Sequence, residues 1–185
     1  MHGREMILSS LFAALTALGA YITVPLWPVP VTLQTFFVYL AAAMIGWKAA
    51  TLSQLIYIAL GLAGLPVFAG GKAGPTVFLG PTGGYIVGFV LAALIAGLII
   101  EKKRERRWVV LALLIATGII YASGFLYLSV WLHMVKGEAI SSAFYTAFSV
   151  GVIPFIVGDL IKVILASYIS TTPQIEEALR RLKPR

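Results

Sequence analysis

The pentapeptide GDLIK at 158–162 places a carboxylate, Asp159, and an ammonium, Lys162, three residues apart inside a long apolar run. On a helix these positions are neighbours on one face, so the two groups can pair. Charged side chains are costly in lipid and must turn to the protein interior, a partner or water. Two roles are open to such a pair. It can be an internal ion pair that only balances itself, or a matched acceptor and donor for a small ligand that offers both hydrogen-bond donors and acceptors. Position favours the second role. The pair falls in the first two turns after Pro154, level with a Gly- and Pro-rich segment far away in sequence.

That segment, GLPVFAGGKAGPTVFLGPTGGY at 64–85, contains a Gly-Gly-Lys that raises phosphate binding. A phosphate loop needs G-x-x-x-x-G-K-[ST] after a strand. Here Gly71-Lys72 is followed by Ala73, and Pro66 stands where the first glycine belongs, so no nucleotide site and no motor are expected. Residues 61–84 carry eight glycines and three prolines. Flexible spacers of that kind are usually Ser-rich and polar. This one interleaves Leu65, Val67, Phe68, Val77, Phe78 and Leu79 with its turn residues, which predicts a folded loop packed back on the protein. The reading adopted is a cap over a cavity, with packing alone as the other option. Gln34 in TLQTFF and Tyr85 after Gly84 can line the same cavity. Alternatively Gln34 caps its helix and Tyr85 belongs to the interfacial aromatic belt, where Trp27 and Trp131 are also expected.

Other chemistries find no support. There is no Cys, and the two histidines, His2 and His133, lie too far apart in sequence to suggest a metal site. No nucleophile–His–acid set or paired Asp stands out, so no enzyme activity and no cofactor are expected.

The elements that must position these groups are membrane helices. Sixty per cent of the 185 residues are hydrophobic and 11% are charged, against about 25% charged in a soluble domain. The expected fold is all-α, a single integral membrane domain of six spans. They lie near 6–24, 33–45, 49–62, 83–100, 108–132 and 154–171, with the capping loop between the third and fourth. The first stops at PLWPVPV, where Pro25, Pro28 and Pro30 end helix. The apolar region 142–171 would be about 45 Å long as one helix, more than a hydrocarbon core of about 30 Å. Gly151 and Pro154 supply a break, which makes 139–150 a short helix or a partly inserted segment. Arg4, an apolar run and ALGA at 17–20 can pass for a signal peptide, but the segment is expected to be retained as a span.

Charge gives the orientation. With the N-terminus inside, eleven of the fourteen Lys and Arg face the cytoplasm and only Lys72 and Lys136 face outward. The net charge of +7 is therefore a topology signal, pointing to anionic lipid and not to nucleic acid. EKKRERR at 101–107 reads as a stop-transfer cluster. Residues 173–185 read as a basic cytoplasmic tail, opening with a short helix capped near Thr172. In the first span Ser9, Ala13 and Ala17 form a small-residue stripe, which either packs within the bundle or is an external docking face.

PVPVTLQTFF at 28–37, GLPVFAGG at 64–71, GPTGGY at 80–85 and GDLIK at 158–162 resemble the BioY family, the biotin-specific substrate-binding (S) components of energy-coupling factor transporters. The likeness runs over most of the chain with the motifs in the same order. It implies a six-helix protein in the cell membrane that binds biotin with high affinity in an outward cavity. Partners implied are a transmembrane coupling protein and two cytoplasmic ABC-type ATPases, with toppling of the binding subunit during transport. The resemblance also implies that Asp159 and Lys162 hold the ligand and that the stripe Ala13, Ala17 and Ser9 docks the coupling protein. Biotin itself offers ureido N–H donors, a ureido oxygen, an apolar sulfur ring and a carboxylate tail. Asp159 would accept from the ureido group, and Lys162 would serve either the ureido oxygen or the tail. Val67 and Phe68 would cover the ring, beside Gln34 and Tyr85. The competing expectation is a channel or carrier that works without ATPase partners.

Overall fold

The computed structural model describes residues 3–175 and 177. His2, Glu176 and the tail cations Arg180, Arg181, Lys183 and Arg185 lie outside the described residues. Helices dominate: α1 (Gly3–Tyr21), α2 (Gln34–Met44), α3 (Gly46–Leu62), α4 (Gly83–Lys102), α5 (Arg106–Lys136), α6 (Ile140–Gly151) and α7 (Ile156–Ser170). Among the described residues three stretches, Gly83–Lys102, Arg106–Lys136 and Ile140–Ser170, are long and apolar enough to cross a membrane, and α2 is a shorter apolar helix. The third stretch is interrupted by a 3-10 turn at Ile153–Phe155. Pro154 sits inside that turn, where a residue without N–H closes one helix and opens the next.

The prolines after α1 do more than stop it. Two short strands, β1 (Thr23–Val24) and β2 (Val31–Thr32), pair antiparallel and return the chain to the bundle. The Leu33 N–H donates to Gly19 O at 3.1 Å and to Ile22 O at 3.0 Å, fixing this hairpin against the end of α1. Helical periodicity alone did not reveal the hairpin, because each strand is only two residues long.

Helix α4 packs along α5, α3 and α2, while α1 packs on α3 and α2, and α7 on α2 and α5. The two ends of this bundle differ. At the end where α2, α4 and α7 finish, Ala43, Ala96, Ile100, Val109, Ala112, Leu113 and Ala166 form continuous buried core. Small side chains there let the helices approach closely. The Arg104 guanidinium lies across this end and donates to Ala43 O at 3.2 Å and Ser170 O at 3.5 Å. These are carbonyls of the last turns of α2 and α7, which lack helical donors. The opposite end, where the same three helices begin, is not filled in this way.

Candidate functional site

The unfilled end holds a cavity of about 680 Å³, open solvent at its mouth included. The hairpin contributes Val29, Pro30 and Thr32, α2 contributes Gln34 and Thr35, and α5 contributes Ile120 and Tyr121. Phe68, Lys72 and Val77 come from the Gly-rich loop, Tyr85 and Phe89 from α4, and Asp159 and Lys162 from α7.

Asp159 and Lys162 form the polar base of this cavity. Both are buried, with 2% and 9% of their surface exposed. The Lys162 Nζ lies 2.8 Å from Asp159 Oδ1. It also donates to Thr32 O at 2.7 Å and to Thr35 Oγ1 at 2.9 Å. All three ammonium protons are thereby used. The Thr35 hydroxyl donates to Asp159 Oδ1 at 2.8 Å, and the Tyr121 hydroxyl donates to Oδ2 at 2.8 Å. A carboxylate has about four acceptor sites. Oδ1 takes two donors and Oδ2 takes one, so Oδ2 retains capacity for a further donor. One helical turn deeper, Tyr39 and Thr117 share a hydrogen bond of 2.8 Å that closes the floor.

Gln34, the first residue of α2, belongs to the same network. Its Nε2 donates to Tyr57 OH at 2.5 Å, and its Oε1 accepts from Thr32 Oγ1 at 2.9 Å. Tyr85 is gripped more tightly. Its hydroxyl donates to Gly151 O at 2.8 Å, and its ring fills a slot between two glycines. A Cβ at Gly124 would lie 2.2 Å from the ring, and one at Gly151 would lie 2.4 Å from the hydroxyl. Tyr85 thus offers the cavity its ring face, its hydroxyl being engaged.

The Gly-rich segment is folded. The Phe68 N–H donates to Lys72 O at 3.1 Å and the Gly71 N–H to Phe68 O at 3.0 Å, making a tight reversal. Gly70 and Gly71 there have φ of +74° and +69°, a region open to glycine at no steric cost. The reversal drives Phe68 inward until 1% of it is exposed. Its ring meets Tyr57 and Phe78 edge-on at 5.5 and 5.8 Å. Gly61 makes room for it, since a Cβ there would stand 2.1 Å from Phe68 Cζ. The loop is tied to α5 by Tyr127, whose hydroxyl donates to Phe78 O, and by Trp131 Nε1, which donates to Leu79 O at 2.9 Å.

Asp159, Lys162, Gln34, Tyr85 and Phe68 therefore come together around one cavity. Val67 is half-buried against the core and is not among the lining residues. The stripe on α1 is covered from within the chain. Ser9 and Ala13 are fully buried, Ala17 is half-buried, and the Ser9 hydroxyl donates to Ala49 O of α3 at 3.0 Å. In this structure those small side chains admit α3, and the exposed side of α1 carries Ile7, Leu11, Ala14 and Leu18 instead. Sequence reasoning missed Thr32, Thr35, Tyr121 and Lys72 as cavity residues. Tyr121 carries the one available signal, a hydroxyl halfway along an apolar helix. Among the described residues no group of three or more His, Cys, Asp or Glu side chains could hold a metal.

Comparisons with known proteins agree with this architecture. The sequence model of the BioY family matches residues 1–181. A biotin transporter BioY of Thermotoga maritima is 44% identical over 167 residues, covering 90% of this chain and 94% of that protein. A probable biotin transporter BioY of Pyrococcus horikoshii is 45% identical over 170 residues, covering 92% and 96%. Among solved structures, the S-component for biotin from an ECF-type ABC transporter superposes with a TM-score of 0.75. The two are 26% identical, and the match covers 90% of this chain and 88% of that one.

Proposed function

The chain belongs to the BioY family, and on that premise we propose that it is the biotin-binding membrane subunit of an energy-coupling factor uptake transporter. Its named relatives are transporters and not enzymes. The observation that carries the ligand assignment is the base of the cavity. Asp159 Oδ2 keeps an acceptor site, and Gln34 Nε2 uses only one of its two protons on Tyr57. A neutral cyclic urea, with N–H donors beside one strong acceptor, matches that pair. The rings of Phe68, Tyr85 and Phe89 supply apolar walls for the fused sulfur ring.

In the proposed arrangement α1 to α5 and α7 cross the membrane and α6 inserts partway, with the cavity outside and both termini in the cytoplasm. Charge supports this orientation: Arg4, Lys48, Lys102, Lys103, Arg104, Arg106 and Arg107 sit at the solid end, whereas Lys72 and Lys136 sit at the cavity end. Energy would come from separate coupling and ATPase subunits. A coupling protein approaching α1 meets Ile7, Leu11, Ala14 and Leu18 before Ser9 or Ala13.

A binding titration tests the reading. A ligand that binds only the native state raises stability by RT ln(1 + [L]/Kd). Biotin at 100 times its Kd should therefore stabilise the purified protein by about 2.7 kcal/mol. Desthiobiotin, which keeps the ureido ring, should act similarly. An equal response to thiamine or riboflavin, or none to biotin, rejects the assignment.

A further inference from the structure

The described residues that line the cavity include three charges: Asp159, Lys162 and Lys72. The first two cancel across 2.8 Å. Lys72 is left over. It closes the Phe68–Lys72 reversal, is exposed, and borders both the cavity and the shallow surface pocket beside it. Lys72 therefore stands at the mouth, with no carboxylate paired to it among the described residues. The cavity is neutral at its base and carries one uncompensated positive charge at its entrance. Such a charge distribution suits a ligand with an uncharged polar head and a single anionic tail.

Lys162 is poorly placed to take that tail. Its three protons are spent on Thr32 O, Thr35 Oγ1 and Asp159 Oδ1. Pulling it toward an anion would break at least one of these bonds in a buried setting, where an orphaned acceptor costs about 1–3 kcal/mol. Lys72 would break none.

We propose that Lys72 is the carboxylate-recognition residue of this site and sets its preference for an acid over the corresponding amide. The inference rests on the biotin reading above and adds the direction of the bound ligand, with its ring inward and its tail at the loop. The Gly-rich reversal then does two things at once: it seats Phe68 in the wall and fixes the backbone of Lys72 beside the opening.

The test compares biotin with biotinamide, the neutral amide of the tail, by equilibrium titration in uncharged nanodiscs. Wild-type protein should bind biotin about tenfold more tightly than the amide, the ratio that about 1.4 kcal/mol produces. Lys72→Gln should lose that preference by weakening biotin alone, and Lys72→Arg should restore much of it. Lys136→Gln, which removes a positive charge near Trp27 and Trp131 at the same end, should leave the preference intact. Raising the salt concentration should weaken biotin binding to wild type more than to Lys72→Gln, because exposed charges are screened. If Lys72→Gln weakens both ligands equally, or neither, the proposal is wrong although biotin binding stands. An effect of Lys72→Gln seen only in anionic nanodiscs would make Lys72 a lipid contact and also overturn it. Absence of biotin binding in wild type removes the underlying reading and this one with it.

Discussion

Replacing Asp159 by Asn separates what the buried pair does for the fold from what it does for the ligand. Asn keeps the shape and one oxygen, so Thr35 and Lys162 retain an acceptor, and the Tyr121 hydroxyl can turn to accept from the new amide. What disappears is the compensating charge. At 2.8 Å, the gross attraction is about 6 kcal/mol at an effective dielectric constant of about 20. Removing one member of a buried pair typically costs about 3–5 kcal/mol. Because the hydrogen-bond partners survive, a loss near the lower figure is expected, about 3 kcal/mol, measured by unfolding in detergent without ligand. The double variant Asp159→Asn, Lys162→Met removes both charges and should recover most of that loss, since apolar replacement of a buried pair is often neutral or better. Binding should obey another rule. Both variants lose the charged acceptor at Oδ2, and a hydrogen bond to a charged group contributes about 1.5–3 kcal/mol. Affinity for biotin should fall about 10- to 100-fold in each, read by titration. If the single variant binds as wild type does, the pair serves the fold alone. If the double variant is no more stable than the single one, the charge argument fails.

Two further outcomes are expected from packing. Gly61→Ala puts a methyl group 2.1 Å from Phe68 Cζ and should expel that ring from the loop. The expected cost is about 1.5–3 kcal/mol, that of exposing a buried Phe, with at least a tenfold loss of affinity; unchanged titration and melting would show that Phe68 does not shape the cavity. Ala13→Leu overfills the α1–α3 contact and should destabilise by about 1–3 kcal/mol, while Ala14→Leu on the exposed side should melt as wild type does. Equal melting of the two would show that Ala13 is not packed against α3.

The sequence carried the groups that cannot rest in lipid but not their neighbours. Asp159 and Lys162 stood out because charge in an apolar helix needs an explanation, and their spacing put them on one face. Thr35 and Tyr121 were invisible as partners, since they come from α2 and α5 and only the packing of α7 against those helices brings them together. The helix break near Pro154 was legible from Gly151, Pro154 and the length of the run. The hairpin after α1 was not, because three prolines announce the end of a helix without dictating the next element. Within the loop, Val67 and Phe68 looked alike as apolar cover. The two left-handed glycines decide between them, and their φ angles are a property of the fold. On α1 the stripe of small residues was compatible with an inner or an outer partner, and the buried Ser9–Ala49 hydrogen bond puts α3 there.

The difference between the two ends of the bundle bears on transport. Among the described residues, buried alanine-lined contacts lie below Tyr39 and Thr117, so the recess closes at its base and is bordered by the exposed Lys72 at its other end. In this conformation a molecule that enters departs by the way it came. In the proposed uptake role this conformation alone carries nothing across, and delivery requires a second arrangement in which the recess opens to the opposite compartment.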